Sequence, residues 1–328
     1  MINLKQEGKL GFGTAPLGNM YREIPEEEAI ETIEAAWEHG IRYFDTAPFY
    51  GAGLAELRTG KALAKHNRDD YVLSTKVGRY ILDETEEKEG LFANGRKNKV
   101  IDDYTAEGTR RSIEQSLERL QMDRLDFVYV HDISPDFQGD EWLAKFEEAR
   151  TGAFRELTKL REEGVIQSWG IGVNRTEPIE LALDLENSNP DISLQATRYT
   201  LLNHEHALQR LMPAAEKQNV SIIVGAPFGS GVLAGGSTYE YSDIPPEIAS
   251  RVEQMKTIAE RHNVSLIAAS LQFSAAHPAV AAVIPGASRP QRIQDNLEAL
   301  NANIPAGFWQ ELRQERLVSP EAPLPIKE

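Results

Sequence analysis

Four polar residues stand at or just past the ends of apolar runs: Asp45 and Tyr50 in RYFDTAPFYG, Lys76 closing YVLSTK, and His131 closing LDFVYVH. A tyrosine with a lysine and a carboxylate nearby can have its phenol pKa pulled towards neutrality by the cation. Such a phenol exchanges a proton with an alcohol or a carbonyl. Taken singly, each residue has an ordinary role. An aspartate after a strand caps a turn, a lysine is solvated, and a tyrosine packs with its hydroxyl satisfied. A histidine ending an apolar strand is often a satisfied core residue. It is their joint occurrence at three strand ends that points to a site.

The elements that must position them alternate along the chain. Short apolar runs begin at Lys9 (KLGFGT), Ile41 (IRYFDT), Tyr71 (YVLSTK), Leu125 (LDFVYVH), Ser168 (SWGIGV), Ile192 (ISLQA), Ser221 (SIIVGA) and Val280 (VAAVIPG). They are nearly continuous in apolar residues, as strands buried on both faces are. Helical patterns lie between them. PEEEAIETIEAAWEHG opens with Pro25 and acidic residues and stops at Gly40. TAEGTRRSIEQSLERLQ has Thr105 as its N-cap, and GAFRELTKLREEG stops at Gly164. Eight strands alternating with helices predict an α/β fold, a single (β/α)8 TIM barrel whose polar strand ends form an active-site rim. A doubly wound sheet is the alternative, but GFGTAPLG places Pro16 where a dinucleotide-binding turn needs glycine.

At 328 residues and 41% hydrophobic composition, the chain has enough apolar material for one large core, so residues 1–328 are expected to form one barrel domain. Three connections are long and would sit on the active-site side: 81–104, 132–148 and 229–246. They are candidates for lids or binding loops. The Pro-rich tail from Ser319 is expected to be irregular. A net charge of −16 argues against a nucleic-acid face and against anionic membranes. No cysteine is present, which excludes a disulfide, a thiolate nucleophile or an iron–sulfur cluster. His204 and His206 form an H-x-H without other ligands nearby, so a surface helix start is expected there and no metal site. With no apolar leader and no run that could span a bilayer, a cytoplasmic location is expected.

The stretch from Asp45 to Leu63, DTAPFYG-x-G-x-x-E-x-x-x-G-x-AL, resembles the Asp/Tyr signature of the aldo-keto reductase family. STK with Lys76 and YVH with His131 resemble its two other tetrad positions, and the resemblance runs from GFGTAPLG to VIPGASRPQRIQDN. STKVGR, RYTLL and APFGSGVLAGG are similar to the branch of sugar 1-dehydrogenases acting on D-threo-aldoses, L-fucose or D-galactose, which pyridoxal 4-dehydrogenases also resemble. The resemblance implies hydride transfer with a nicotinamide cofactor lying extended across the barrel mouth. Tyr50 would be the general acid/base, Lys76 would lower its pKa, Asp45 would hold the lysine, and His131 would orient the substrate oxygen.

The same resemblance places Asn174 and Gln195 on the nicotinamide amide, Pro227, Phe228 and Ser230 along the cofactor, and Asp295 and Asn296 on the adenine. Three positions depart from the common pattern. Val173 stands where serine is usual, and Gly225 where an aromatic residue stacks on the nicotinamide, so another group must pack there. Gly286 stands where NADPH-preferring members carry lysine. Arg289 and Arg292 remain for a 2′-phosphate and favour NADP over NAD, since a planar guanidinium suits phosphate. The expected activity is an NAD(P)-dependent aldose 1-dehydrogenase with a small sugar or aldehyde substrate. The alternatives are a pyridoxal dehydrogenase or general aldehyde/ketone reductase, a non-catalytic cofactor-binding subunit and, more distantly, a glycoside hydrolase.

Overall fold

The computed structural model describes residues 9–326. Its strands are β1 (Phe12–Gly13), β2 (Tyr43–Asp45), β3 (Val72–Val77), β4 (Arg79–Thr85), β5 (Asn98–Asp102), β6 (Phe127–His131), β7 (Ser168–Val173), β8 (Ile192–Ala196), β9 (Ser221–Gly225) and β10 (Val280–Ile284). Eight of them pair in parallel in the order β1-β2-β3-β6-β7-β8-β9-β10. Parallel bridges Leu10–Val283 and Gly13–Gly286 bring β10 back to β1 and close the barrel. All eight expected strands are present, although β1 is shorter than its apolar run.

Strand alternation divides the core in two, because residues i and i+2 face the same side. Tyr43, Val72, Phe127, Tyr129, Ile192, Leu194 and Ile223 fill the barrel interior. Phe44, Leu73, Val128, Val130 and Ile171 face outward into a larger layer shared with the helices. The helix caps follow the sequence signals. Helix Glu26–Glu38 carries three acids in its first turn, and the chain leaves it through Gly40 at φ +84°. In helix Ala106–Leu120, the Thr105 hydroxyl accepts a hydrogen bond from Gly108 N at 3.0 Å.

The long connections hold more structure than their polarity suggested. Within 81–104, β4 and β5 form an antiparallel hairpin with Tyr80 opposite Ile101 and Ile81 opposite Val100. The apolar positions are too few, and too diluted by charge, to show as a run. Residues 132–148 contain the short helix Pro135–Gln138 and the start of helix Trp142–Thr151. Residues 229–246 begin with the 3-10 turn Gly229–Ala234. A helix does start at this H-x-H, with His206 exposed, but His204 corrects the expectation of a surface position. It is fully buried, with Nδ1 3.0 Å from Thr200 O and Nε2 accepting from Ser319 N at 3.1 Å. It therefore ties the start of the tail to the barrel. The tail, as far as it is described, is irregular. No helix among the described residues is long and apolar enough to cross a membrane, and no three His, Asp or Glu side chains among them group to hold a metal.

Glu56 pins the outer layer. It is fully buried on helix Leu54–Leu63 and accepts from Thr75 Oγ1 of β3 at 2.7 Å and from Arg119 Nε at 2.6 Å. Glu56→Ala strands the Arg119 guanidinium without its carboxylate, and breaking a buried pair in this way costs about 3–5 kcal/mol. Urea unfolding should show a loss of that size; a loss below about 1 kcal/mol would mean the pair is no more than a surface contact.

Candidate active site

The period-2 alternation that fills the barrel also builds the site. On β3 the inward residues are Val72, Ser74 and Lys76; on β2, Tyr43 and Asp45; on β6, Phe127, Tyr129 and His131. Asp45, Lys76 and His131 are the uppermost members of these columns, at the C-terminal ends of their strands. All three are buried. Lys76 Nζ donates to Asp45 Oδ2 at 2.7 Å and to Thr46 O at 2.8 Å. Ser74 Oγ donates to Asp45 Oδ1 at 2.7 Å. Below it, the Tyr43 hydroxyl lies 3.1 Å from Ser74 Oγ and 3.0 Å from the Tyr129 hydroxyl. Burial pushes the Asp45 carboxyl above its ordinary range, against the pull of Lys76 and Ser74.

Tyr50 reaches the same place from the loop after β2. Its backbone is set by a close approach: a Cβ on Gly18 would lie 2.6 Å from Tyr50 C, and one on Gly51 would lie 2.2 Å from Gly18 O. Gly51 also sits at φ +67°, a conformation that favours glycine. The Lys76 ammonium is 4.7 Å from the Tyr50 ring centroid. The His131 ring stands edge-on to Tyr50, with centroids 5.9 Å apart at 84°.

The phenol departs from expectation. Burial, together with the Asp45 and Asp132 carboxylates, pushes Tyr50 well above its ordinary value, while Arg79 pulls it down. Lys76 does not bring it towards neutrality here because the ammonium is already neutralised by Asp45. His131 moves the other way. Burial and the Arg79 and Lys76 charges hold it well below the ordinary imidazole range, so it is neutral.

Two cavities meet at Tyr50. A groove of about 310 Å³ runs away from it, lined by Asp45, Tyr50, Pro227, Phe228, Ser230, Gly286, Arg292, Asp295 and Asn296 among others. A smaller pocket of about 70 Å³ is lined by Tyr50, Lys76, His131, Asn174 and the aromatic rings of Phe49, Phe92 and Phe137. Gln195 and Arg289 line neither. Gln195 alternates away from the interior, and its amide nitrogen donates to Asn174 O at 2.8 Å and Ala196 O at 2.7 Å. Its Oε1 is buried without a partner among the described residues. Arg289 is exposed at the start of helix Pro290–Asn301. Asn174 Nδ2 donates to Asp136 Oδ2 at 2.8 Å.

Sequence reasoning passed over two residues. Tyr241 lines both cavities and supplies an aromatic ring at their junction, where Gly225 offers none. It belongs to a loop without periodicity, and its only signal is the Tyr239/Tyr241 pair in a glycine- and proline-rich stretch. Arg79, inside STKVGR, donates from NH1 to Asp132 Oδ2 at 2.6 Å and lies 3.3 Å from His131 Nδ1. The arrangement does not suit glycoside hydrolysis, which needs two carboxylates facing the sugar. Asp45 is committed to Lys76 and Asp132 to Arg79.

Comparison with known proteins agrees with this geometry. Residues 9–315 match the Aldo/keto reductase family. The chain is 36% identical to a pyridoxal 4-dehydrogenase of Microbacterium luteolum, over 94% of both chains. It is 37% identical to a D-threo-aldose 1-dehydrogenase of a Pseudomonas species, again over 94% of both. The holo form of an aldo-keto reductase from Bacillus halodurans superposes with a TM-score of 0.69 at 27% identity, covering 95% of this chain and 92% of that one. With an eight-stranded parallel barrel, four polar groups converging at its mouth and a groove beside them, the chain belongs to the aldo/keto reductase family and is an NAD(P)-dependent oxidoreductase.

Proposed function

We propose that this enzyme oxidises the C1 hydroxyl of an aldose to a lactone, with the cofactor in the groove and the sugar in the smaller pocket. The observation that carries this reading is the position of Tyr50. It stands where the two cavities meet, with Lys76 and His131 both close to its ring. The two dehydrogenase relatives support the substrate class. When bound, the nicotinamide cofactor supplies the hydride chemistry. The chain supplies position and the proton path. Tyr50 takes the hydroxyl proton as C1 loses its hydride, leaving the C1 carbonyl. His131 donates a hydrogen bond to the same oxygen. Asp45 holds Lys76 beside Tyr50, and Asn174 lines the pocket to meet another hydroxyl.

The groove fits the cofactor. Arg292, Asp295 and Asn296 sit at its far end, on the first turns of helix Pro290–Asn301. Arg292 is the guanidinium available for a 2′-phosphate, and this favours NADP. Two features keep the preference modest. Asp295 lies 3.8 Å from Arg292, and a Cβ on Gly286 would lie 2.8 Å from the Pro16 ring, so no lysine fits there without displacing it.

A second reading has one observation in its favour: the pocket walls are rich in aromatic rings, which also suit a pyridoxal ring. Initial rates of cofactor reduction with L-fucose, D-arabinose, D-galactose, L-galactose and pyridoxal separate the two. Turnover of a sugar alone supports the aldose reading; turnover of pyridoxal alone replaces it.

Tyr50→Phe should lower turnover on the order of 10²-fold or more while leaving cofactor affinity unchanged. The raised phenol also sets a pH dependence. The group is protonated across the neutral range, so it must lose its proton before acting as a base. Oxidation should speed up as pH climbs from about 7 towards 10, and carbonyl reduction should not. A flat oxidation profile would remove Tyr50 from the role. Arg292→Ala should raise KM for NADP by about tenfold, equivalent to one exposed charge-assisted contact. KM for NAD should change far less; equal effects on both would mean Arg292 contacts something other than the 2′-phosphate.

A further inference from the structure

The most developed polar cluster outside the four tetrad residues lies directly behind His131. Arg79 and Asp102 are opposite each other across the β4–β5 hairpin, and Arg79 Nε donates to Asp102 Oδ1 at 3.0 Å. This contact points the far end of the guanidinium inward. There NH1 donates to Asp132 Oδ2 at 2.6 Å and lies 3.3 Å from His131 Nδ1. Phe49 and Phe137 flank the guanidinium, with ring centroids 4.3 and 5.5 Å from Cζ. Asp132 Oδ2 is also 3.4 Å from His131 Nε2, but, being 2.6 Å from the same guanidinium nitrogen, it lies on the Arg79 side of the ring.

Arg79 leaves the ring no choice of tautomer. A guanidinium only donates, so the nitrogen facing it must accept. Nδ1 is therefore bare and Nε2 carries the proton, which a substrate oxygen entering the pocket can accept as a hydrogen bond. We propose that Arg79, seated by Asp102 and Asp132, is a positioning residue that fixes His131 as the neutral Nε2–H tautomer, the form that donates to the substrate oxygen. The proposal rests on the reading of His131 as that donor. It also gives the β4–β5 hairpin a task, because the cross-strand pair it carries aims the guanidinium.

The other groups around the ring are consistent with a fixed neutral form. Lys76 approaches from β3, Tyr50 and Phe49 from the loop after β2, and the Tyr104 hydroxyl donates to His131 O at 2.8 Å. Burial and the two nearby cations disfavour imidazolium.

The test is the tautomer itself, read by 15N NMR of histidine-labelled protein with His131→Gln used to assign the signal. Wild type should show a protonated Nε2 and a bare Nδ1, without titration from about pH 5 to 8. Arg79→Met alone would leave Asp132 buried and unpaired, so the informative variant is Arg79→Met with Asp132→Asn. It should show an Nδ1–H population and lose turnover by about tenfold or more, with cofactor affinity by fluorescence titration unchanged. An Nδ1–H ring in wild type, or a purely Nε2–H ring in the double variant, overturns the proposal. Wild-type turnover in His131→Gln, with the tautomer as proposed, overturns instead the donor role on which it rests.

Discussion

A lysine ammonium held inside the barrel sets the terms for everything around it. Lys76 has only 1% of its side chain exposed, and a charge so buried is tolerated only when paired and hydrogen-bonded. Asp45 supplies the opposite charge, and Thr46 O takes a second donor. Ser74 satisfies the other carboxylate oxygen, and the Tyr43 and Tyr129 hydroxyls continue the network down the interior. A polar column therefore replaces part of what would be an aliphatic core. Apolar residues of similar volume would hold a barrel together as well or better. The column is understandable as the footing of a site, and the apolar outer layer compensates for it.

A second buried pair repeats the arrangement across the pocket. Arg79 and Asp132 are also buried, though slightly less than Lys76 and Asp45. Each cation is matched to a carboxylate at contact distance, so neither dominates the field at Tyr50. Burial, with the two carboxylates, therefore raises the phenol although a lysine stands beside it. Between the pairs, His131 is kept neutral and Tyr50 protonated, which leaves two hydrogen-bond donors pointing into one pocket.

Much of this was legible in the sequence, for reasons tied to particular residues. Strands buried on both faces advertise themselves as apolar runs, so β2, β3 and β6 and their polar ends could be located, and with them Asp45, Lys76 and His131. Tyr50 followed from its place beyond Asp45 in DTAPFYG and from the signature that stretch resembles. What stayed hidden was whatever depends on residues distant in the chain. Nothing in STKVGR says that Asp102 and Asp132 will close on Arg79. Tyr241 lacks periodicity to betray it, and the depth of His204 is set by its contact with Ser319. The direction of the Tyr50 shift was also out of reach, because proximity of a lysine does not show that its charge is already answered.

The contact between Gly18 and Gly51 joins two parts of the molecule that seem separate. Gly18 ends the short turn Ala15–Gly18, whose Pro16 walls the groove against Gly286. Gly51 follows Tyr50 directly, and no side chain cushions one backbone from the other. The groove wall and the loop that carries Tyr50 are thus held together by a direct backbone contact. A change in the shape of that wall therefore bears on where Tyr50 stands. A lineage that installed a bulky residue at position 286 to court a phosphate would press on Pro16, and through it on the perch of Tyr50.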